Sequence, residues 1–426
     1  MSIKLPDSLP AGKILRNEGI EVLGPESPPR PGARPLRIAL LNLMPEKADA
    51  EVQIARLLGA APYAVEVTLF LPDSHTPKTA PAAHIAAFYE RWSAIRQREF
   101  DALIVTGAPV ETLPFEEVTY WRELTEIFDW ARVHVCRSFY ICWSAQAALY
   151  HFHGVPKHGL DQKMFGVFRH RVADTGAALL SGFGEAFPVP VSRHTEVRAA
   201  DLPANVGLEV LADSDQAGLC LIEDRPRGAV YMFNHLEYDA GTLRDEYLRD
   251  LEAGAPVPVP RHYFPGDDPA RPPIDGWRPY GHLLFRNWIA EIGRCAHADG
   301  ANDEPVRWLL AERRGPALVG QAFSDFLVSG NRSPDSLAEV LRGLAEFGLS
   351  PRAVKVHRHG DAQAAIELRS DAVPEARAQR IARAFLGVEG IRRVAYRTTE
   401  GAGGLLVKPV APPLGPAQLL ERPAAA

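Results

Sequence analysis

From residue 36 to residue 150 the chain alternates between short apolar runs and amphipathic stretches. Leu36-Arg37-Ile38-Ala39-Leu40-Leu41-Asn42-Leu43 reads as a buried strand closed by Met44-Pro45. Ala64 to Leu71 reads as a second strand, Ala102-Leu103-Ile104-Val105-Thr106-Gly107 as a third, and Phe139-Tyr140-Ile141 as a fourth that leads into Cys142. Between them, Val52, Ile54, Leu57 and Leu58 mark a helix that Gly59 stops, and Ile85, Phe88, Tyr89 and Trp92 recur at helical spacing. Tyr120, Trp121, Leu124, Ile127, Phe128 and Trp130 mark another helix, whose aromatic stripe is read as core. Strands that are apolar throughout and alternate with helices predict an α/β fold, a doubly wound, mostly parallel sheet covered on both faces. In such sheets ligands bind at the carboxyl ends of the strands, so Thr106-Gly107-Ala108-Pro109 and Cys142 are expected to share one crevice.

The flanks read differently. Residues 1–35 are rich in Pro and Gly and are expected to form an N-terminal arm with at most one short helix. After residue 150 the pattern loosens into strands near 188–191, 208–212, 218–222 and 228–233, and a helix from Tyr280 to Ile292 closes a domain spanning 36–298. Around Ala296–Pro305 the composition turns small and charged, and residues 299–320 are expected to be a linker. Beyond them, Phe323 to Val328 suggests a strand, and Ser333-Pro334 caps a helix carrying Leu337, Val340, Leu341, Leu344 and Phe347. Ala353–His357 and Ala364–Leu368 form a hairpin, Pro374 opens a helix through Ile381 and Phe385, and Ile391–Tyr396 is a last strand. The order β-α-β-β-α-β over 321–408 is the ferredoxin-like, α+β arrangement. The Pro- and Ala-rich residues 409–426 are expected to be disordered.

Composition narrows the function classes. With 426 residues the chain is long enough for more than one domain. A net charge of −6 supplies no basic face for nucleic acid or an anionic membrane. Cys136, Cys142, Cys220 and Cys295 are too few for a disulfide framework, and without a paired C-x-x-C they make no zinc site, so no metal is expected. With no signal-like start and no apolar run of membrane-spanning length, the expected location is the cytoplasm, where a lone reactive thiol survives.

Chemistry is concentrated in two places. In Phe139-Tyr140-Ile141-Cys142-Trp143-Ser144-Ala145-Gln146-Ala147-Ala148-Leu149 an apolar strand delivers one cysteine and passes at once into an alanine-rich helical pattern. A thiol there sits on a sharp turn beside the free N–H groups of a helix N-terminus, which favour the thiolate; the alternative is a buried structural cysteine. In Val230-Tyr231-Met232-Phe233-Asn234-His235-Leu236-Glu237-Tyr238, His235 and Glu237 are two apart. Read as a strand, that spacing puts both on one face, about 6–7 Å apart at the backbone, and a carboxylate beside an imidazole can fix its tautomer and stabilise its charged form.

Many ordered blocks resemble the homoserine O-acyltransferases of methionine biosynthesis, the homoserine O-succinyltransferase family. They include Arg34-Pro35-Leu36-Arg37-Ile38-Ala39-Leu40-Leu41-Asn42-Leu43-Met44-Pro45, Thr106-Gly107-Ala108-Pro109-Val110-Glu111, Ile141-Cys142-Trp143, Lys163-Met164-Phe165-Gly166-Val167-Phe168, Asn234-His235-Leu236-Glu237-Tyr238 and His282-Leu283-Leu284-Phe285-Arg286-Asn287-Trp288. The resemblance covers residues 1–295 and implies a fold similar to class I glutamine amidotransferases. It implies that Cys142 attacks an acyl-CoA thioester, that His235 is the general base and Glu237 orients it, and that homoserine takes the acyl group on its hydroxyl. It carries substrate binding onto Lys163, Ser192 and Arg249. The backbone N–H of Trp143 is the natural oxyanion donor, with another possible from the loop after Thr106. Glutamate at position 111 goes with acetyl transfer in this family, so the expected co-substrate is acetyl-CoA, with no tightly bound cofactor. A homodimer is expected because members are commonly dimers.

Ser144 departs from the family's usual Gly or Ala. The larger departure is the extension after residue 300, whose element order resembles ACT-type amino-acid-binding domains and suggests an amino-acid effector or an oligomerisation module. Succinyl transfer to the same acceptor is the nearest alternative, and a glutamine-amidotransferase-like cysteine hydrolase a more distant one. A regulator on a degenerate scaffold would require a broken triad, whereas Cys142, His235 and Glu237 are all present.

Overall fold

A computed structural model describes residues 2–297 other than 28–33, 205 and 255, and residues 323–407 other than 332–339, 343, 348, 350, 360–362, 388–390 and 399–402. The chain divides into two compact units, Met1–Gly300 and Ala301–Ala426.

The first unit is built on a 12-stranded sheet. In chain order its strands are β1 (Ser2–Lys4), β2 (Glu21–Leu23), β3 (Leu36–Leu41), β4 (Val65–Leu71), β5 (Glu90–Arg91), β6 (Ala102–Val105), β7 (Arg137–Ile141), β8 (His158–Val172), β9 (Ala186–Glu196), β10 (Leu208–Ser214), β11 (Gly218–Asp224) and β12 (Ala229–Met232). In space the order is β2-β1-β4-β3-β6-β7-β12-β11-β10-β8-β9, with β5 beside β4. Pairing is parallel from β2 through to β12 and antiparallel from β12 to β9. The apolar runs alternate between faces. On one face, Ile38 and Leu40 of β3, Phe139 and Ile141 of β7, and Val230 and Met232 of β12 pack under α1 (Pro10–Asn17), α2 (Lys47–Gly59) and α8 (Arg278–His297). On the other, Ala39, Leu41, Tyr140 and Tyr231 pack under α4 (Trp92–Ile95), α5 (Trp121–His134) and α6 (Trp143–His153). The remaining helices are α3 (Ala82–Phe88) and α7 (Thr242–Glu252).

From β3 the chain winds outward to β4, then returns to β6 on β3's other side, so the winding reverses between β3 and β6. A crevice opens at the carboxyl ends of the strands at such a switch point. The loop at Gly107, just past β6, runs close beside the elbow. A Cβ there would lie 3.3 Å from Cys142 Cβ and 3.5 Å from Met44 Sδ.

Several expectations are corrected. Residues 2–23, expected as part of an arm, join the main sheet: β1 pairs in parallel with both β2 and β4. Three-residue strands are too short to show a period. The 15-residue β8 was missed, because its side chains alternate between exposed and half-buried over His158–Met164 and supply no apolar run. One cysteine pair is joined, Cys136 at the entrance to β7 and Cys295 in the last turns of α8, with Cα atoms 6.5 Å apart. Cys142 and Cys220 are free and buried.

The second unit contains a 5-stranded antiparallel sheet of order β14-β15-β13-β16-β17. Its strands are β13 (Phe323–Asn331), β14 (Pro351–His359), β15 (Gln363–Asp371), β16 (Ile391–Thr398) and β17 (Gly403–Val407), and α9 (Glu375–Gly387) follows β15. Phe326, Val328, Ile366, Leu368, Val394 and Tyr396 of the sheet pack with Ile381 and Phe385 of α9 and with Val340 and Leu344. The edge strand β17 was not expected. The linker at 299–320, the Ser333-Pro334 cap and the tail at 409–426 lie outside the described residues.

Candidate active site

Cys142 stands between β7 and α6 with φ 55° and ψ −117°. A non-glycine residue held at positive φ costs about 1–3 kcal/mol and persists only where its surroundings over-determine it. Here they do. The Cys142 N–H donates to Met232 O at 2.7 Å, and its carbonyl accepts from Ala145 N at 3.1 Å and Gln146 N at 3.3 Å. Ser144 fastens the same turn: its hydroxyl accepts from Ile141 N at 2.9 Å and lies 2.8 Å from Val105 O. The hydroxyl that departs from the family pattern thus ties the elbow to β6. The N–H of Trp143, first residue of α6, is one of those a helix leaves without an intrahelical partner.

His235 and Glu237 are brought to Cys142, but not by a strand. β12 ends at Met232, and both residues sit in the turn that follows it. The apolar run continues in sequence only to Phe233, and past Met232 the backbone leaves the sheet. Within that turn His235 Nδ1 and Glu237 Oε1 are 2.6 Å apart. The turn is held by His235 N donating to Pro190 O at 2.9 Å and by the indole of Trp277 donating to Tyr238 O at 2.8 Å. Helix α8 runs so close that a Cβ at Gly281 would fall 2.4 Å from Leu236 O. Burial works against a charged His235, but the Glu237 carboxylate and the Cys142 sulfur, each also hydrogen-bonded to the ring, outweigh it and hold the imidazole well above its ordinary value.

The three residues expected to bind substrate meet on α7. Lys163 Nζ donates to Glu246 Oε1 at 2.8 Å and to Asp250 Oδ2 at 2.9 Å, and Ser192 Oγ donates to Glu246 Oε1 at 2.6 Å. Arg249 reaches Asp250 Oδ1 at 3.1 Å and keeps 60% of its side chain exposed. Sequence reasoning missed Glu246, around which this cluster is arranged; a glutamate in the charged pattern of α7 carries no signal of its own. Glu111 lies within electrostatic reach of His194, His235 and Glu246. Burial pushes its carboxyl above the usual range, partly offset by a hydrogen bond from the His194 backbone and by the nearby His194 and His235 rings, and its buried Oε2 has no hydrogen-bond partner among the described residues. His194 therefore enters the site through its backbone.

Arg193 was also missed. It is 2% exposed, with its guanidinium on Ala217 O at 2.5 Å and Asn234 Oδ1 at 3.4 Å. Burial lowers its pKa, and Cys142 heads the charges that oppose the shift. The signal existed: Phe187, Val189, Val191 and Arg193 occupy successive inward positions of β9, so the arginine stands where the alternation demands an apolar residue. A second buried cation, Lys47 at the start of α2, donates to Asn42 O at 2.8 Å and Met44 O at 3.0 Å, and burial brings its pKa down to about 8.

Known proteins match this unit. The homoserine O-succinyltransferase family model matches residues 2–294. A homoserine O-acetyltransferase of Chelativorans sp. strain BNC1 is 53% identical over 292 residues, covering 68% of this chain and 94% of the relative. Homoserine O-acetyltransferases of Hyphomonas neptunium and Rhizorhabdus wittichii are 55% and 53% identical, each across 93% or more of the relative. Among solved structures, a glutamine amidotransferase of Thermotoga maritima aligns with a TM-score of 0.42 at 12% identity, covering 61% of this chain and 99% of that chain. The family match ends before the second unit begins. On a match that runs through the elbow, the triad turn and α7, this chain belongs to the homoserine O-succinyltransferase family.

Proposed function

We propose that the first unit transfers the acetyl group of acetyl-CoA to the hydroxyl of L-homoserine through a thioester on Cys142. The observation that carries this reading is the position of His235, hydrogen-bonded to both Cys142 and Glu237 beside the α6 N-terminus. The Cys142 thiolate attacks the thioester carbonyl, and the N–H groups of Trp143 and the loop after Thr106 take the developing oxyanion. The C–S bond to CoA breaks, and the His235 imidazolium gives its proton to the departing thiolate. The neutral imidazole then takes the proton of the homoserine hydroxyl, whose oxygen attacks the acyl carbon and expels Cys142. Glu237 keeps the imidazole in one tautomer throughout. The homoserine ammonium is matched by Glu246 and its carboxylate by Arg249, with Lys163 and Ser192 setting the position of Glu246.

Glu111 selects the donor. Its side chain fills the space a longer acyl chain would need, and in its ionised form it repels a succinyl carboxylate. The relatives named for acetyl transfer agree with that reading, although the family bears the succinyl name. Turnover with acetyl-CoA and succinyl-CoA, measured side by side, should favour acetyl-CoA, and Glu111→Gly should narrow or reverse the preference. A wild-type preference for succinyl-CoA overturns the assignment. The strand order of the second unit supports a ferredoxin-like, ACT-like reading, as an amino-acid-sensing or dimer-forming module. Removing residues from 305 onward should relieve inhibition by an end product such as methionine if it senses one.

A further inference from the structure

Tyr238 closes the triad turn and is 7% exposed. Its ring lies on the His235 imidazole with centroids 4.0 Å apart and planes 15° apart. Two neutral aromatic rings prefer an offset or edge-on arrangement to a close parallel one. A cation over a tyrosine face is attracted by the ring's quadrupole, and more strongly where both are desolvated. Glu237 and Cys142 both meet His235 through hydrogen bonds to its nitrogens, so they act in the plane of the imidazole and leave its faces open. Tyr238 covers one face. Its backbone is fixed by Trp277 Nε1 donating to its carbonyl at 2.8 Å and by its own N–H donating to His235 O at 3.5 Å, so the turn itself holds the ring beside the imidazole.

Resting on the reading of Cys142 and His235 given above, we propose that Tyr238 is a positioning residue whose ring face holds the imidazole flat between Glu237 and Cys142 and stabilises its cationic form. The thiolate–imidazolium pair is then formed before an acyl donor binds. The charged and titratable groups around the pair are Glu237 from the same turn, Cys142 from the head of α6, Glu111 from the loop after β6, Arg193 from β9 facing Cys142, and Glu246 from α7 facing Tyr238. The phenol itself remains protonated: burial first, then the charges of Glu246, Glu237, Cys142 and Glu111, hold its pKa well above the ordinary value. Among the described residues nothing hydrogen-bonds to its hydroxyl, so the ring and not the hydroxyl makes the contact.

The test uses the full chain without acyl-CoA or homoserine, and the readout is the rate of Cys142 alkylation by iodoacetamide as a function of pH. Mass spectrometry of the labelled peptide separates Cys142 from Cys220, whose thiol burial pushes up to about 12. Tyr238→Phe keeps the face and should retain the wild-type profile. Replacing that phenylalanine by its 4-fluoro, 3,4,5-trifluoro and pentafluoro analogues withdraws π density with little change of shape. Alkylation at neutral pH should fall stepwise along the series, to about tenfold below Tyr238→Phe, while the rate reached at high pH stays the same. Tyr238→Leu should behave like the most fluorinated ring, and if it fails to fold the fluorinated series still decides. A flat series overturns the proposal, because a ring that only fills space would be indifferent to its π density. An unreactive Cys142 in the unsubstituted chain would instead overturn the reading of the elbow.

Discussion

Glu237→Gln keeps the shape of the triad turn and removes its charge. In the structure Glu237 Oε1 accepts from His235 Nδ1 at 2.6 Å, with both residues buried, while the buried Oε2 has no hydrogen-bond partner among the described residues. A hydrogen bond to a charged group contributes about 1.5–3 kcal/mol, which is a factor of roughly 10 to 150 in the population of the charged form. With the carboxylate present, that contribution and the Cys142 sulfur overcome burial, and the imidazolium persists above its ordinary pH range. With glutamine, burial prevails and the imidazolium survives only at lower pH, so less of the protein carries the charged histidine beside Cys142 at neutral pH. A glutamine that turns its amide N–H toward Nδ1 would also select the wrong tautomer. Stopped-flow measurement of the first burst of CoA release from acetyl-CoA, from pH 5.5 to 9, reports acylation directly. The expected result is a neutral-pH burst rate about 10- to 150-fold below wild type, with Glu237→Asp intermediate. Linkage gives an independent check. A histidine whose folded pKa is raised contributes its full stability below the unfolded value near 6.5 and loses it as pH rises through the folded pKa. The variant should therefore lose stability at low pH more than at high pH. A variant with the wild-type burst rate and pH profile would refute the reasoning, because Glu237 would then be filling space.

Other expectations concern the acceptor cluster and the buried lysine. Glu246→Gln removes the carboxylate shared by Lys163 and Ser192, and should raise KM for homoserine about tenfold to a hundredfold while the acetyl-CoA burst is unchanged. An equal loss in both half-reactions would show that Glu246 acts on the turn and not on the acceptor. Lys47 has its pKa lowered from 10.5 to about 8 by burial, so between those values the unfolded chain binds a proton that the folded chain does not. Stability therefore contains a part that rises with pH over that window, by up to about 3 kcal/mol. Chemical denaturation at pH 8 and pH 10 should show this rise in the wild type and a smaller one in Lys47→Met; the same rise in both would assign it to other groups.

The sequence by itself determined what local pattern and residue type can carry. Continuous apolar runs of Val, Ile, Leu and Phe between amphipathic stretches specify buried parallel strands, because each side chain must find an apolar face whichever way it points; β3, β4, β6, β7 and α2, α5 and α6 were legible for that reason. Cys142 was legible because a strand that turns directly into an alanine-rich helix leaves one residue at the junction. What the tertiary structure decided is where the rest of the site comes from. Two-residue spacing suggested that His235 and Glu237 share the face of a strand, yet they meet in a turn whose shape is imposed by Pro190, Trp277 and the close passage of α8 at Gly281. Glu246 and Tyr238 gain their significance only from neighbours that are distant in sequence, Lys163 and Ser192 in one case and the fold-back of the turn in the other. Arg193 broke the inward pattern of β9, but only the packed structure shows that the position it occupies faces the nucleophile. The elements follow from local periodicity, whereas the charges around Cys142 acquire their meaning from desolvation, which only the closed fold provides.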